Sequence, residues 1–145
     1  LKTATEIKNI LQLSNGERWQ EQLRQLLAEG DLTATEEMIT EHREAQVAMI
    51  ELLTADDTEL PLRIGLSAVI ESLAASDLFS IFENDFIDMS KNSHERIAID
   101  ALYYLSLTSS KTSLLHLTEV AQSNPSSVIR DQAQELLEEM HSADI

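Results

Sequence analysis

The chain has 145 residues, no cysteine, three glycines, two prolines and a formal net charge of −16. That length supplies one compact domain or a short repeat array with a real core. The missing cysteines exclude disulfide scaffolding, thiol chemistry and cysteine-based zinc sites, the scarcity of turn residues excludes a β-rich fold, and the acidity opposes both phosphate backbones and anionic lipid, so neither nucleic acid nor a membrane is an expected partner.

Leu, Ala, Glu and Gln are abundant and favour helix, so the fold class expected is all-α. No run approaches the ~18–20 apolar residues of a membrane span, and no signal-peptide pattern opens the chain. A cytoplasmic protein is expected, with no cofactor implied. The chain starts at Leu1 without an initiator Met, so it reads as a piece of something longer. Residues 1–30 balance four Lys/Arg against four Glu, whereas residues 31–60 set nine acids against Arg43 alone. Such a band either keeps the domain soluble or meets a basic partner.

Taken in order, the helices are marked by caps and apolar spacing. "TATE" occurs at 3–6 and again at 33–36, and each copy has the form of a capping box, Thr3-x-x-Glu6 and Thr33-x-x-Glu36. The first box predicts a helix with Ile7, Ile10 and Leu11 on one face, broken by Ser14-Asn15-Gly16. A second helix over 17–28 carries Trp19, Leu23, Leu26 and Leu27, with Gly30 placed as its C-cap. From Thr33 one longer helix carries Met38, Ile39, Ala45, Val47, Met49, Ile50 and Leu53. After the loop 54–61, Pro61 suits the first turn of a helix over 60–74 that is apolar nearly all round. Leu78, Ile81, Phe82 and Phe86 mark the next; Ser93 can cap another that ends near 105. Helices over 114–121 and 128–140 follow, separated by "QSNPSS". The sum is eight helices in four hairpins.

The second helices of the last three hairpins align on a small residue: Gly65, Ala98 and Ala133, spaced by 33 and 35. Three positions on stand Ala68, Ala101 and Leu136; one further, Val69, Leu102 and Leu137. A period in the thirties with two helices per period is the mark of an α-solenoid, in which stacked hairpins share a core. The segment 124–137, "NPSSVIRDQAQELL", resembles the second helix of HEAT-like and armadillo-like repeats, D-x-x-V-R-x-x-A-x-x-A-L. Pro125 falls in the turn, Ile129 and Arg130 on the V-R pair, and Ala133, Leu136 and Leu137 on the following positions. Segments 92–105 and 59–73 keep the small and apolar positions but carry His94 and Glu95, or Pro61 and Leu62, at the pair. The resemblance spans 41–140. It implies a right-handed α-α superhelix of about four hairpins, three of them HEAT-like: an N-terminal hairpin over 1–32 serving as cap or linker to a preceding domain, and a repeat array over 33–145. Where the middle repeats have Ile64, Leu66 and Ile70, then Ile97, Ile99 and Tyr103, the last has Gln132, Gln134 and Glu138, as a C-terminal cap should.

No catalytic signature is present. There is no nucleophile elbow and no phosphate-cradling glycine loop. Glu138-x-x-His141 is half of a di-iron helix motif whose second copy is missing. Asp56, Asp57 and Glu59 lack the EF-hand pattern. Phe79, Phe82 and Phe86 have core spacing. In HEAT-like arrays the second helices line a concave face, which implies a partner stripe of Arg63, Ser67 and Glu71; Arg96, Asp100 and Tyr104; and Asp131, Glu135 and Glu139. Tyr104 stands out as an exposed interface anchor, unless Tyr103 and Tyr104 both half-bury in the seam. The function expected is a non-catalytic interaction or scaffold domain binding a basic peptide or protein, with a structural or dimerisation module of a larger enzyme, or a HEAT-like lyase, as the alternatives. The oligomeric state is not encoded in any of these features.

Overall fold

The computed structural model describes residues 3–5 and 14–143. Glu6 of the box expected at Thr3–Glu6, and its apolar face Ile7, Ile10 and Leu11, lie outside them. The described residues hold eight α-helices, one 3-10 helix and no strand: α1 (Asn15–Ala28), α2 (Leu32–Glu41), α3 (Arg43–Thr54), α4 (Leu60–Leu73), the 3-10 helix Asp77–Phe82, α5 (Glu83–Met89), α6 (Glu95–Ser106), α7 (Lys111–Ser123) and α8 (Ser127–Ala143). The all-α class follows directly. The chain divides into two compact units, 1–69 and 70–145, with the boundary inside α4.

In the first unit α1, α2 and α3 all pack on one another. Ser14 caps α1, its Oγ accepting from the Glu17 amide at 3.2 Å and donating to Glu17 Oε1 at 2.9 Å. Ser14-Asn15-Gly16, expected as a break, therefore starts a helix. Gly30 closes α1 at φ +73, with Gly30 N–H donating to Leu27 O and Asp31 N–H to Leu26 O, both at 3.0 Å. That 5→2 and 6→1 pair is a Schellman motif, and the left-handed residue within it favours glycine.

The second "TATE" is not a helix start. Asp31 is the N-cap, its Oδ1 accepting from the Ala34 amide at 3.0 Å, and Thr33 sits inside the first turn. Asp is as good a cap as Thr, and taking the earlier residue lets Thr35 turn inward, fully buried, with its hydroxyl bonded to Asp31 O at 2.8 Å. The single helix expected from Thr33 is also two helices. His42 is extended (φ −128, ψ 117) and serves as the end of α2 and the start of α3. An unbroken helix over 32–54 would run ~34 Å, far beyond the ~21 Å of α1. Broken at His42, it folds back, and Ile39, Ala45, Met49 and Leu53 all bury.

In the second unit the 3-10 helix leads into α5, which pairs with α6, and α7 pairs with α8 across a short turn. The second helices α6 and α8 pack on each other, and the first helices α5 and α7 also touch. Three residues per turn in the 3-10 segment set Phe79 directly above Phe82, and the change to α-helix carries Phe86 onto the same side four residues later. All three are buried, with ring centroids 5.7 Å apart for Phe79–Phe86 and 6.2 Å for Phe82–Phe86. Ser93 does not cap α6; His94 is the N-cap residue without a side-chain bond, and Asn92 Oδ1 accepts from the His94 amide at 2.8 Å. Asn124 makes the same two-residue turn before α8, accepting from the Ser126 amide at 2.9 Å.

Two of the three aligned small residues are interior. Ala98 and Ala133 are fully buried in one cluster with Leu102, Leu117, Ile129 and Leu136. Gly65, in the first unit, faces Leu27, whose δ carbons lie 3.4 Å from where a Cβ would stand. That is ordinary contact against a flexible side chain, while glycine within a helix forgoes roughly 0.5–1 kcal/mol relative to alanine. Gly65→Ala is therefore expected to raise stability by about 0.5 kcal/mol, read as a higher urea midpoint at unchanged slope; a loss above about 1 kcal/mol would mean that Leu27 cannot yield. Ile64 corrects the expected pattern: it is 61% exposed rather than packed.

Candidate functional site on the exposed second-helix face

Two members of the expected stripe are core residues. Arg63 is only 5% exposed. Its Nε donates to Thr58 O at 3.2 Å, its Nη1 to Leu53 O at 2.9 Å, and its Nη2 to Ala55 O. It closes the C-terminal end of α3 and the loop after it. Tyr104 is 2% exposed, its ring 5.1 Å from Phe86. The expectations of an exposed Arg63 and of a Tyr104 anchor are both corrected.

The cause is helical geometry. A stripe spaced 4 and 4, such as Arg63–Ser67–Glu71 or Arg96–Asp100–Tyr104, drifts about 80° around a helix, whereas 4 and 3 drifts only about 20°. On α6 the residues in line with Arg96 and Asp100 end at Tyr103, not Tyr104. Tyr103 is 37% exposed and Arg96 is exposed, while Asp100 is half-buried. Ile97, Ala101 and Tyr104 form one buried stripe and Ala98, Leu102 and Leu105 another, because α6 is covered by α5 on one side and by α7 and α8 on the other.

Tyr103 is the point where the face gathers. Partial burial raises its pKa above the usual phenol value, and the neighbouring Glu71 carboxylate and then Glu139 push it further in the same direction. Glu71, Tyr103 and Glu139 come from α4, α6 and α8, so the structure brings together on one side of the second unit two stripe members and the tyrosine the stripe missed. The Tyr103 ring lies 5.8 Å from that of Tyr104, which ties it to the core. Asp131, Glu135 and Glu139 are all exposed on α8, where a wide polar face tolerates the 4-and-4 drift. Ser67 is half-buried on the portion of α4 that belongs to the first unit.

Other chemistry-bearing clusters have structural roles. Ser90 Oγ lies 2.7 Å from His116 Nε2 and 2.6 Å from Ile87 O. The pair links the end of α5 to α7. Burial lowers the His116 pKa, Glu119 raises it, and Lys91 lowers it, the net shift being downward. The fold thus prefers neutral His116, the unfolded chain binds the proton more readily, and the resulting stability is present above the ordinary histidine value of about 6.5 and lost as pH falls through the lower folded value. Urea midpoints at neutral and mildly acidic pH should fall less on acidification in His116→Gln than in the wild type; equal falls would assign the acid sensitivity elsewhere. Glu83 Oε1 accepts from Ser110 Oγ at 2.6 Å and Ser113 Oγ at 3.2 Å, fixing the start of α7. Glu59, held below its usual pKa by a backbone hydrogen bond and then by Arg24, pairs with Arg24 at 3.1 Å.

Among the described residues no group of three or more His, Asp and Glu could hold a metal ion, and no helix is long and apolar enough to cross a membrane. No family model, curated protein or solved structure matches the chain.

Proposed function

We propose that the chain is a non-catalytic protein-interaction module of HEAT-like build, whose acidic second-helix face takes a basic segment of another protein. The observation that carries this is the convergence of Glu71, Tyr103 and Glu139 from three successive second helices, flanked on α8 by exposed Asp131 and Glu135. A partly exposed tyrosine among carboxylates offers a flat apolar surface and a polar rim, the pairing favoured in protein recognition. Against Arg96, the surrounding acids leave this face with an excess of negative charge, which speeds and orients the approach of a cationic partner. The repeat build is supported by the packing of α6 on α8 and of α5 on α7, and by the joint burial of Ala98 and Ala133. These are the contacts that stacking two hairpins demands. A cytoplasmic setting accords with the lack of cysteine.

The test is fluorescence anisotropy with labelled lysine-rich and glutamate-rich peptides of equal length. The wild type is expected to bind the basic peptide, more weakly as salt rises. The double variant Glu135→Lys, Glu139→Lys, checked for an unchanged circular dichroism spectrum, is expected to lose about tenfold in affinity, as two reversed rim charges do at about 0.5–1 kcal/mol each. Equal binding of both peptides, or an unaffected double variant, would overturn the acidic-face function.

A further inference from the structure

A groove of about 420 Å³ opens in the second unit between the end of α6, the start of α7 and the end of α8. Its apolar lining is Leu107, Leu114, Leu137 and Met140, with Ser106 and His141 among the polar groups at its edge. That volume lies within the range of real ligand sites, which are apolar with a few polar groups at fixed places. Leu114 remains 37% exposed, so the groove has an accessible apolar wall.

The groove adjoins the acidic face. Ser106 follows Tyr103 by three residues on α6, within the 5–6 Å that separate Cβ atoms at that spacing, and its hydroxyl bonds to Tyr103 O at 2.6 Å. Tyr103 in turn feels Glu139, and Glu139 directly precedes the groove residues Met140 and His141. No Lys or Arg lines the groove; Lys111, exposed at the start of α7, is the nearest in sequence, one turn before Leu114. The carboxyl ends of α6 and α8 bring negative dipole ends to the groove and the start of α7 a positive one, so the negative charge beside it comes from the carboxylates. An apolar slot beside carboxylates is complementary to an apolar side chain beside a cation, and a small anionic or purely apolar ligand would leave that charge unanswered.

Resting on the acidic-face function above, we propose that this groove is the anchor pocket of the interface, taking one aliphatic or aromatic side chain of a partner segment whose neighbouring lysine or arginine is held by Glu139 and Glu71. Such an anchor adds specificity that charge alone lacks. Burying a leucine-sized side chain strengthens binding by about tenfold or more.

Two labelled peptides decide it: one leucine flanked on each side by two lysines, and the same peptide with glycine for leucine. The wild type is expected to bind the leucine peptide at least about tenfold more tightly. Leu114→Trp, which fills the groove from its exposed wall, is expected to erase that difference while still binding the glycine peptide as the wild type does. If both peptides bind wild type equally, with affinity falling in the Glu135→Lys, Glu139→Lys variant, the anchor pocket is overturned and the acidic-face function stands. If neither peptide binds, both fall. Sedimentation of the free protein covers the remaining occupant: self-association abolished by Leu114→Trp would assign the groove to a second copy of the chain and overturn the peptide anchor.

Discussion

Arg63→Ala is expected to destabilise the protein by about 3 kcal/mol, as large an effect as a core truncation. The guanidinium spends its donors on three carbonyls, Leu53 O, Ala55 O and Thr58 O, and is 5% exposed. The last carbonyls of a helix have no partner within it. In α3 two of them are answered from outside, Leu52 O by the Thr58 hydroxyl at 2.6 Å and Leu53 O by Arg63. A cation at a helix C-terminus also meets the favourable end of the dipole. Removing the side chain leaves buried acceptors unpaired, and hydrogen bonds to a charged group contribute about 1.5–3 kcal/mol each, less than additively when shared. Arg63→Lys has one compact ammonium in place of a planar fork and is expected to recover only about a third of the loss. The measurement is urea denaturation of the three proteins side by side. Had Arg63 been a solvated member of a partner stripe, Arg63→Ala would shift stability by less than about 0.5 kcal/mol, and that result would return it to the surface.

Arg63 also shows where the sequence is silent. The helices themselves were legible, because apolar residues at spacings of three and four, with few glycines and prolines, leave little other choice. Gly30 as the end of α1 followed from the one residue type that accepts its positive φ. The break at His42 was not legible: neither His42 nor its neighbours are helix breakers, and the corner exists because folding α3 back over α1 buries Ile39 and Met49 together. An interior arginine was equally hidden, since its partners are backbone carbonyls that a sequence displays at every position. Asp31 as the cap of α2 was available in the letters, but the repeated "TATE" two residues later offered a competing motif. On α6 the exposed residue is Tyr103 rather than the expected Tyr104. Asp131, Glu135 and Glu139 do lie exposed, because α8 has a broad polar face, and the difference between Tyr103 and Tyr104 depends on α5 covering the side of α6 where Tyr104 lies.

That choice gives the second large effect. Tyr104→Ala is expected to lower stability by about 3–5 kcal/mol, the range for deleting a large buried aromatic, whereas Tyr103→Ala should lower it by about 1 kcal/mol or less. Tyr104 is 2% exposed and packs on Phe86 at a centroid distance of 5.1 Å, and Phe86 is itself in contact with Phe79 and Phe82. Truncation would open a cavity beneath three aromatic rings, forfeiting their dispersion and edge contacts. Tyr104→Phe keeps the ring and should retain most of the stability, separating packing from hydroxyl bonding. Tyr103 has the opposite profile. With 37% of its surface in solvent, its removal leaves a dent that water fills, and the main loss is the ring contact with Tyr104. Binding should order the two residues in reverse. In peptide anisotropy Tyr103→Ala is expected to weaken the basic peptide several-fold at intact fold, while Tyr104→Phe binds as wild type does. A Tyr103→Ala protein that unfolds as readily as Tyr104→Ala would place both rings in the core and remove the aromatic part of the interface; a Tyr103→Ala protein of full stability and full affinity would remove it as well, leaving the carboxylates to act alone.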